Sequence, residues 1–252
     1  MEKISIIEHT KKDLSNCLLI VAFPTVGLVS SIAGNHIVKT LKLDEIGVVL
    51  CNDFSPTTVI HNGKPSAPVR IYAGEKKCGP TQSCDQIAVI ISEFMPPFNV
   101  IKPLSDKILE WAEEKKCRYV IGLEGTHSSI PIKAERPEVF GVISNDKMKS
   151  TLKKYKIKQT KDGMITGVMG VMLYSAVLRN QDVMCLLSTA HSSFPDSRAA
   201  ANLVEKLDIM LPGIKIDPKP LYEEAENIEN QIRSHMEQSK PTAPPLPSNM
   251  YR

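Results

Sequence analysis

Short apolar runs alternate along the chain with segments whose apolar residues recur every three or four positions. The runs have the length of strands and are apolar at nearly every position, which is typical of strands buried on both faces of a parallel sheet. The segments between them have helical spacing. This alternation predicts an α/β fold with a mainly parallel sheet flanked by helices. The predicted strands are residues 17–23, 46–51, 86–92, 119–123 and 182–188, and the predicted helices are residues 26–41, 103–115, 165–179 and 197–210.

Residues 54–72 depart from this alternation, because Asn62 and Gly63 separate two β-rich stretches. An Asn-Gly pair supplies the positive backbone angles that a two-residue hairpin turn requires. We therefore expect an antiparallel excursion from the sheet, at a sheet edge or a subunit contact.

The end of the chain predicts a helix followed by a tether. Apolar residues recur at helical spacing from Leu221 to Met236, and the nearby acidic residues complement the positive end of a helix dipole. The predicted helix covers residues 218–238 and completes a single domain over residues 1–238. Residues 239–252 contain four prolines, which predict a flexible, extended tail.

Composition and charge narrow the range of partners. The chain has 252 residues, of which 42% are hydrophobic and 23% charged, as in ordinary globular proteins. The net charge of +3 is small, and the lysines between Lys147 and Lys158 alternate with Ile and Tyr like a solvated face. We expect no nucleic-acid partner. Because no apolar stretch approaches the ~20 residues of a membrane helix, we also expect no membrane contact and a cytoplasmic location.

The six cysteines lack the C-x-x-C spacing of metal and redox motifs. They lie mostly in apolar segments, which favours buried free thiols, with a disulfide between Cys78 and Cys84 as the alternative. No Cys or His pair has the spacing of zinc ligands. We therefore expect neither a metal nor a cofactor.

Polar residues follow several predicted strands, at the edge where α/β proteins commonly bind ligands. Residues 190–196 contain Ser, His and Asp, so a hydrolytic or nucleoside-processing enzyme is the alternative function. A triad is defined by geometry, however, and no G-x-S-x-G elbow is present. We interpret Asp196 as the N-cap of the helix over residues 197–210. The candidate pocket residues are Gly27, Glu93, Glu124 and His191, with His127 and Asp196 as further members of an enzymatic site.

The turn over residues 23–28 invites comparison with a phosphate-binding loop, because the backbone N–H groups at a helix start can bind an anion. It lacks both the Lys-Ser or Lys-Thr pair and the G-x-G-x-x-G pattern of such loops. We interpret Thr25 as an N-cap, and Gly27 as the residue that permits close contact of the helix with the sheet.

Four segments together resemble the proteasome assembly chaperone family, in particular its archaeal branch. Their order and spacing cover most of residues 17–233. One difference is Thr25, where the family pattern has a glycine. The segments are AFPTVGLVSSIAGNH (22–36), the hairpin with SP (55–56), HNG (61–63) and APVRIY (67–72), DGMITGVMG (162–170), and AHSSFPDSRAAAN (190–202).

The resemblance implies a fold similar to that of the nucleoside phosphorylases, a homo-oligomer such as a tetramer, and action on proteasome subunits rather than on small molecules. The last three residues, Met250, Tyr251 and Arg252, match the hydrophobic-Tyr-any motif of proteasome activators. An apolar side chain, a phenol and a terminal carboxylate would bind a pocket that holds a lysine. The expected function is that of an ATP-independent chaperone or activator, not an enzyme, that docks on the α ring of the core particle and opens its gate.

Overall fold

A mixed β-sheet of nine strands forms the centre of the described part of the chain. The computed structural model describes residues 4–61, 63–75, 77–78, 84–127 and 138–238, with the backbone alone for residues 61, 77–78, 84–85 and 229–238. The strands are β1 (Ile4–Glu8), β2 (Leu18–Ala22), β3 (Asp44–Cys51), β4 (Val59–His61), β5 (Lys64–Ser66), β6 (Val69–Ala73), β7 (Lys77–Cys78), β8 (Cys84–Asp85), β9 (Ile87–Ser92), β10 (Tyr119–His127), β11 (Val139–Ile143), β12 (Lys158–Gln159) and β13 (Val183–Ala190). The helices are α1 (Val29–Leu41), α2 (Phe98–Glu114), α3 (Lys149–Lys154), α4 (Gly167–Arg179), α5 (Ser197–Met210) and α6 (Lys219–Gln238).

Four of the five predicted strands lie in the middle of the sheet, as β9, β2, β10 and β13. The predicted strand 46–51 is instead β3, which lies next to the edge and pairs antiparallel with β1 and β6. The strand order is β1-β3-β6-β9-β2-β10-β13-β11-β12. Neighbours from β9 to β13 pair in parallel. On one side, β6, β3 and β1 continue the sheet with antiparallel pairing, and on the other β11 is antiparallel to β13. The predicted α/β class is thus confirmed, and the carboxyl ends of four central strands lie at one edge.

Helices cover both faces of the sheet. Alternate residues of the central strands enter two separate apolar cores, because successive side chains of a strand point to opposite faces. Ile121 and Leu123 pack with α1, α5 and the start of α6, whereas Val120 packs with α2 and α4. The predicted final helix is present as α6, and Ser197–Met210 is a helix with the predicted bounds.

Two local predictions need correction or refinement. Helix α2 begins at Phe98 rather than at Pro103, which lies inside it. The predicted hairpin forms as β4 and β5, but in a separate two-stranded sheet. The following strand, β6, belongs to the main sheet, where it pairs antiparallel with β3 and β9. The lysine-rich segment forms α3 and the short strand β12, consistent with the predicted solvated face.

The cysteines are free thiols where the structure describes them. Cys17 and Cys185 are buried, as predicted, while Cys51 and Cys117 are partly exposed. The backbone pairs Cys78 with Cys84 across β7 and β8, but their side chains lie outside the described residues. The alternative of a disulfide between them therefore stays untested.

Candidate functional site at the strand ends and the C-terminal helix

The turn between β2 and α1 is closely packed against its neighbours. Gly27 has a φ of 62°, and a Cβ atom added there would lie 2.6 Å from the carbonyl oxygen of His191. A Cβ atom on Gly125 would lie 2.1 Å from the carbonyl oxygen of Val26. Thr25 precedes the helical turn, but its side chain makes no cap. Its Oγ1 instead accepts a hydrogen bond of 3.1 Å from the backbone N–H of Gly125. The space that a phosphate would need beside this turn is filled by backbone.

Asp196 joins the turn after β13 to the turn after β2. Its Oδ1 accepts a hydrogen bond from the N–H of Ala199 at 2.9 Å, which confirms the predicted N-cap of α5. Its Oδ2 accepts one from the N–H of His191 at 2.9 Å. Its own N–H donates to the carbonyl of Gly27 at 2.8 Å. Because both carboxylate oxygens bind backbone groups, Asp196 holds loops together and is not arranged as a triad acid.

His191 is held by its backbone, and its ring lies against an aromatic side chain. The imidazole stacks on the ring of Phe194, with centroids 4.7 Å apart and planes at 25°. His127, at the end of β10, is exposed and lines a groove of about 910 Å³ beside α4.

Glu93, directly after β9, is the partner of a buried arginine. Its carboxylate forms an ion pair with the guanidinium of Arg70 on the adjacent strand β6, and the Arg70 side chain is only 6% exposed. The same guanidinium donates to the hydroxyl of Tyr72 at 2.8 Å and to the carbonyl of Ala67 at 3.3 Å. A buried charge must be paired to be tolerated, so Glu93 has a structural task. Arg70 could have been noticed in the sequence as a charge inside an apolar strand.

Glu124 lies on β10. Among the described residues, no cation and no hydrogen-bond donor lies beside its carboxyl group. It has the same strand parity as Val120 and therefore faces the α2 and α4 side of the sheet. Burial raises the pKa of Glu124 to about 8. Its charge also adds to the effect of burial in raising the pKa of Cys185 on the adjacent strand. The carboxyl group is thus held mostly protonated at neutral pH.

The candidate pocket residues do not form one site. Gly27, His191 and Asp196 meet through backbone contacts, whereas Glu93 is paired with Arg70 and Glu124 faces the opposite layer of helices from α5. Among the residues the structure describes, no group of three or more His, Cys, Asp or Glu side chains could hold a metal ion. The loops at the strand ends therefore mainly contact and hydrogen-bond one another.

Helix α6 is anchored where it begins. Leu221 and Ala225 are each 4% exposed, and the N–H of Lys219 donates to Asp217 Oδ1 at 3.0 Å. The hydroxyl of Tyr222 lies 2.8 Å from Asn202 Oδ1 and 3.1 Å from Glu205 Oε2, both on α5. Sequence reasoning found the apolar stripe of α6 but not this polar anchor.

The contacts at this end of the chain also indicate the direction of α6. The N–H of Ile216 donates to Asp208, and six residues later Tyr222 lies beside Asn202. The chain therefore enters α6 antiparallel to α5. Tyr222 and Asn202 lie side by side, so the lengths of the two helices beyond this contact can be compared. Beyond it, α6 continues for sixteen residues (223–238), whereas α5 extends for only five residues in the same direction (197–201). A straight α6 extends roughly 16 Å past the start of α5 at 1.5 Å per residue, toward the strand-end side.

The predicted docking residues Met250, Tyr251 and Arg252 lie outside the described residues, and so does the predicted tether 239–252. Both stay predictions. Within the described chain, none of the helices combines the length and the apolar character needed to cross a membrane.

Comparison with known proteins places this fold among proteasome-related relatives. The crystal structure of Pyrococcus furiosus PbaA, described as an archaeal homolog of proteasome-assembly chaperone, is similar with a TM-score of 0.80 and 30% identity, covering 93% of this chain and 92% of PbaA. Pyrococcus furiosus PbaB, described as an archaeal proteasome activator, shares the fold with a TM-score of 0.79 at 20% identity, covering 94% of this chain and 100% of PbaB.

Sequence comparison adds a relative of nearly equal length. The uncharacterized protein MJ0106 of Methanocaldococcus jannaschii is 30% identical over 238 residues, which are 94% of this chain and 93% of that protein. Residues 19–236 match the model of the PAC2 family. This match spans the sheet apart from β1 and the first residue of β2, both helix layers and most of α6. The chain therefore belongs to the PAC2 family.

Proposed function

We propose that this protein is an ATP-independent proteasome assembly chaperone or activator, without catalytic activity of its own. It binds the α ring of the core particle through Met250, Tyr251 and Arg252, and the docked motif opens the gate. The observation that carries the proposal is the likeness to PbaA along nearly the whole of both chains at 30% identity. That protein is described as a homolog of a proteasome-assembly chaperone.

The anchored helix α6 supports this assignment. Its first turns are fixed to α5 through Tyr222 and Leu221, and its direction brings the chain to the strand-end side before the proline-rich residues begin. Proline-rich segments favour an extended conformation of about 3 Å per residue, which suits a tether better than a packed element. A terminal motif on such a tether can reach a recessed pocket while the folded domain stays outside.

The strand ends give little support to the alternative of a nucleoside-processing or hydrolytic enzyme. Gly27 and Gly125 lie too close to neighbouring carbonyl groups for a ligand to enter between them. Both carboxylate oxygens of Asp196 are bound to backbone N–H groups. We expect His127→Ala and His191→Ala, and also Glu124→Gln, to leave core-particle binding intact.

A pull-down of purified core particles tests the docking. We expect the full chain to retain core particles and a chain lacking residues 250–252 to lose them, because the apolar, phenolic and carboxylate contacts are all removed. A matched variant with Ser248→Ala and Asn249→Ala should bind like the wild type. Stimulated peptidase activity of the bound core particles would show gate opening. Equal retention of the full and truncated chains would assign the interaction to the folded domain instead.

The protein is further proposed to be a homo-oligomer, such as a tetramer. Several tails on one assembly would bind the ring together, and linked motifs can gain about 100-fold or more in apparent affinity when their geometry allows it. Light scattering at micromolar concentration decides this point, since a monomeric mass would contradict it.

A further inference from the structure

Two cysteine side chains meet where the chain enters β2 and β10. The Sγ atoms of Cys17 and Cys117 lie 3.3 Å apart, although the two residues are separated by 100 positions in the sequence. Cys17 is completely buried and Cys117 is partly exposed. Both pack in the core layer that contains α2 and α4. The two cysteines lie just before the amino-terminal ends of β2 and β10. The strand-end loops described above lie at the opposite, carboxyl ends of these strands.

The backbone around this pair is fixed by hydrogen bonds between the two segments. The N–H of Asn16 donates to the carbonyl of Lys116 at 2.9 Å, and the N–H of Arg118 donates to the carbonyl of Cys17 at 2.8 Å. Immediately beyond, Leu18 and Tyr119 are direct partners in the parallel ladder. The two thiols are therefore held face to face by structure that forms whenever the sheet forms.

We propose that Cys17 and Cys117 are a redox-active pair, a covalent modification site that closes to a disulfide on reaction with a small-molecule disulfide. A disulfide has a sulfur–sulfur bond of about 2.05 Å, so the two sulfur atoms must approach by roughly 1.3 Å. Rotation of the two short side chains can supply a movement of this size without displacing the hydrogen-bonded backbone.

The unequal exposure of the two thiols sets the order of the reaction. The Cys117 thiol is reachable from solvent, so it is the group that attacks, as the thiolate, one sulfur of oxidised glutathione. This forms a mixed disulfide and releases one glutathione, which takes up a proton. The thiol of Cys17 then attacks the Cys117 sulfur and releases the second glutathione in the same way. Two protein thiols are oxidised to one disulfide while one glutathione disulfide is reduced to two thiols.

The new bond would join Cys17, directly before β2, to Cys117, in the turn that follows α2. Cross-linking positions about 100 residues apart restricts the unfolded chain strongly, so the oxidised protein should unfold at a higher temperature than the reduced protein. We expect a rise in Tm of roughly 5 °C or more. This effect concerns the folded domain and is independent of the proposed docking of the tail.

Equilibration of the full-length protein with oxidised glutathione tests the proposal. Peptide mapping under non-reducing conditions should identify a Cys17–Cys117 disulfide, and thermal unfolding should show the increase in Tm, reversed by dithiothreitol. Cys51→Ser is the matched control, since Cys51 is also partly exposed but is not part of the pair, and it should leave both results unchanged.

The single variants distinguish a reactive pair from two unrelated thiols. In Cys17→Ser we expect a stable glutathione adduct on Cys117, because the resolving thiol is gone. In Cys117→Ser we expect Cys17 to stay unmodified, because it is buried. The proposal is overturned if Cys17 and Cys117 of the wild-type protein both remain alkylatable after denaturation while Cys51 has reacted, or if the mixed disulfide on Cys117 persists although Cys17 is present.

Discussion

Glu124 links a single carboxyl group to the pH dependence of stability. Burial raises its pKa to about 8, so the folded protein keeps a proton that the unfolded chain releases near the ordinary glutamate pKa. The stability that this proton contributes is complete below the unfolded pKa and is lost as the pH rises through that of the folded state. Above about pH 8, folding has to place an ionised carboxylate at this poorly hydrated position, and the described residues supply no cation beside it.

Glu124→Gln removes this titration and nearly conserves the shape of the side chain. We expect the free energy of unfolding of the variant, relative to the wild type, to increase between about pH 5 and about pH 9 by on the order of 2–4 kcal/mol. Urea unfolding of both proteins at the two pH values measures the change. A difference that is the same at both would mean that Glu124 is ionised in the folded protein throughout.

Gly27 tests how tightly the strand-end loops are joined. An alanine there must adopt a φ of 62° and also place its Cβ 2.6 Å from the carbonyl oxygen of His191. Gly63 offers a matched control, because its φ is 74° but nothing lies within 4 Å of an added Cβ. We expect Gly63→Ala to lower the free energy of unfolding by about 1 kcal/mol and Gly27→Ala by roughly 3 kcal/mol. Similar losses from both would mean that the loop near His191 moves aside easily.

At the level of elements, helix α5 depends on a single capping residue that also joins two loops. Asp196 is 5% exposed and accepts hydrogen bonds from the N–H groups of Ala199 and His191. Asp196→Ala leaves the buried N–H of Ala199 and the partly buried N–H of His191 without their acceptor, and we expect a loss of about 2–3 kcal/mol. Asp196→Asn keeps one carbonyl oxygen and should lose about half as much. Thermal unfolding of the two variants gives the comparison, and an unchanged Tm for Asp196→Ala would contradict the role assigned here.

The elements that the sequence predicted well are those with a strong local pattern. The parallel strands are buried on both faces, so they appear as continuous apolar runs, and α5 has a clear stripe bounded by Asp196. Strand β1 was not predicted, because an edge strand that is half exposed has a weak pattern. Helix α3 has only six residues, which is too few for apolar positions to repeat at helical spacing. Helix α2 begins after Pro97, and Pro103 misled the prediction since proline more often starts a helix than continues one.

The candidate site was predictable only in part. Parallel strands end at one edge of a sheet, and this rule correctly brought Gly27 and His191 together. The rule could not reveal that backbone carbonyl groups of neighbouring loops lie directly against Gly27 and Gly125. The partner of Glu93 could not be predicted either, because Arg70 reaches it only once β6 pairs with β9.

At the scale of the whole molecule, folding and the proposed docking would involve separate parts of the chain. At the strand ends, Glu93 and Asp196 are engaged in structural contacts, and Tyr222 fixes the start of α6 to α5. The proposed docking motif, residues 250–252, ends fourteen residues beyond α6, at the end of the segment 239–252. Changes in that segment should therefore leave folding intact, since exposed ends typically contribute less than ~0.5 kcal/mol to stability.

This separation predicts opposite outcomes for stability and docking in variants of the last residues. Tyr251→Ala removes a buried aromatic anchor in the proposed complex, a loss that commonly costs about 2 kcal/mol or more for each tail and is multiplied when several tails bind together. One extra residue after Arg252 keeps every side chain but displaces the terminal carboxylate from its cation. We expect both variants to have the Tm of the wild type and to lose co-sedimentation with core particles and stimulation of peptidase activity. If the extended chain binds as well as the wild type while Tyr251→Ala does not, the phenol acts without the carboxylate. If all three bind equally, the folded surface carries the interaction.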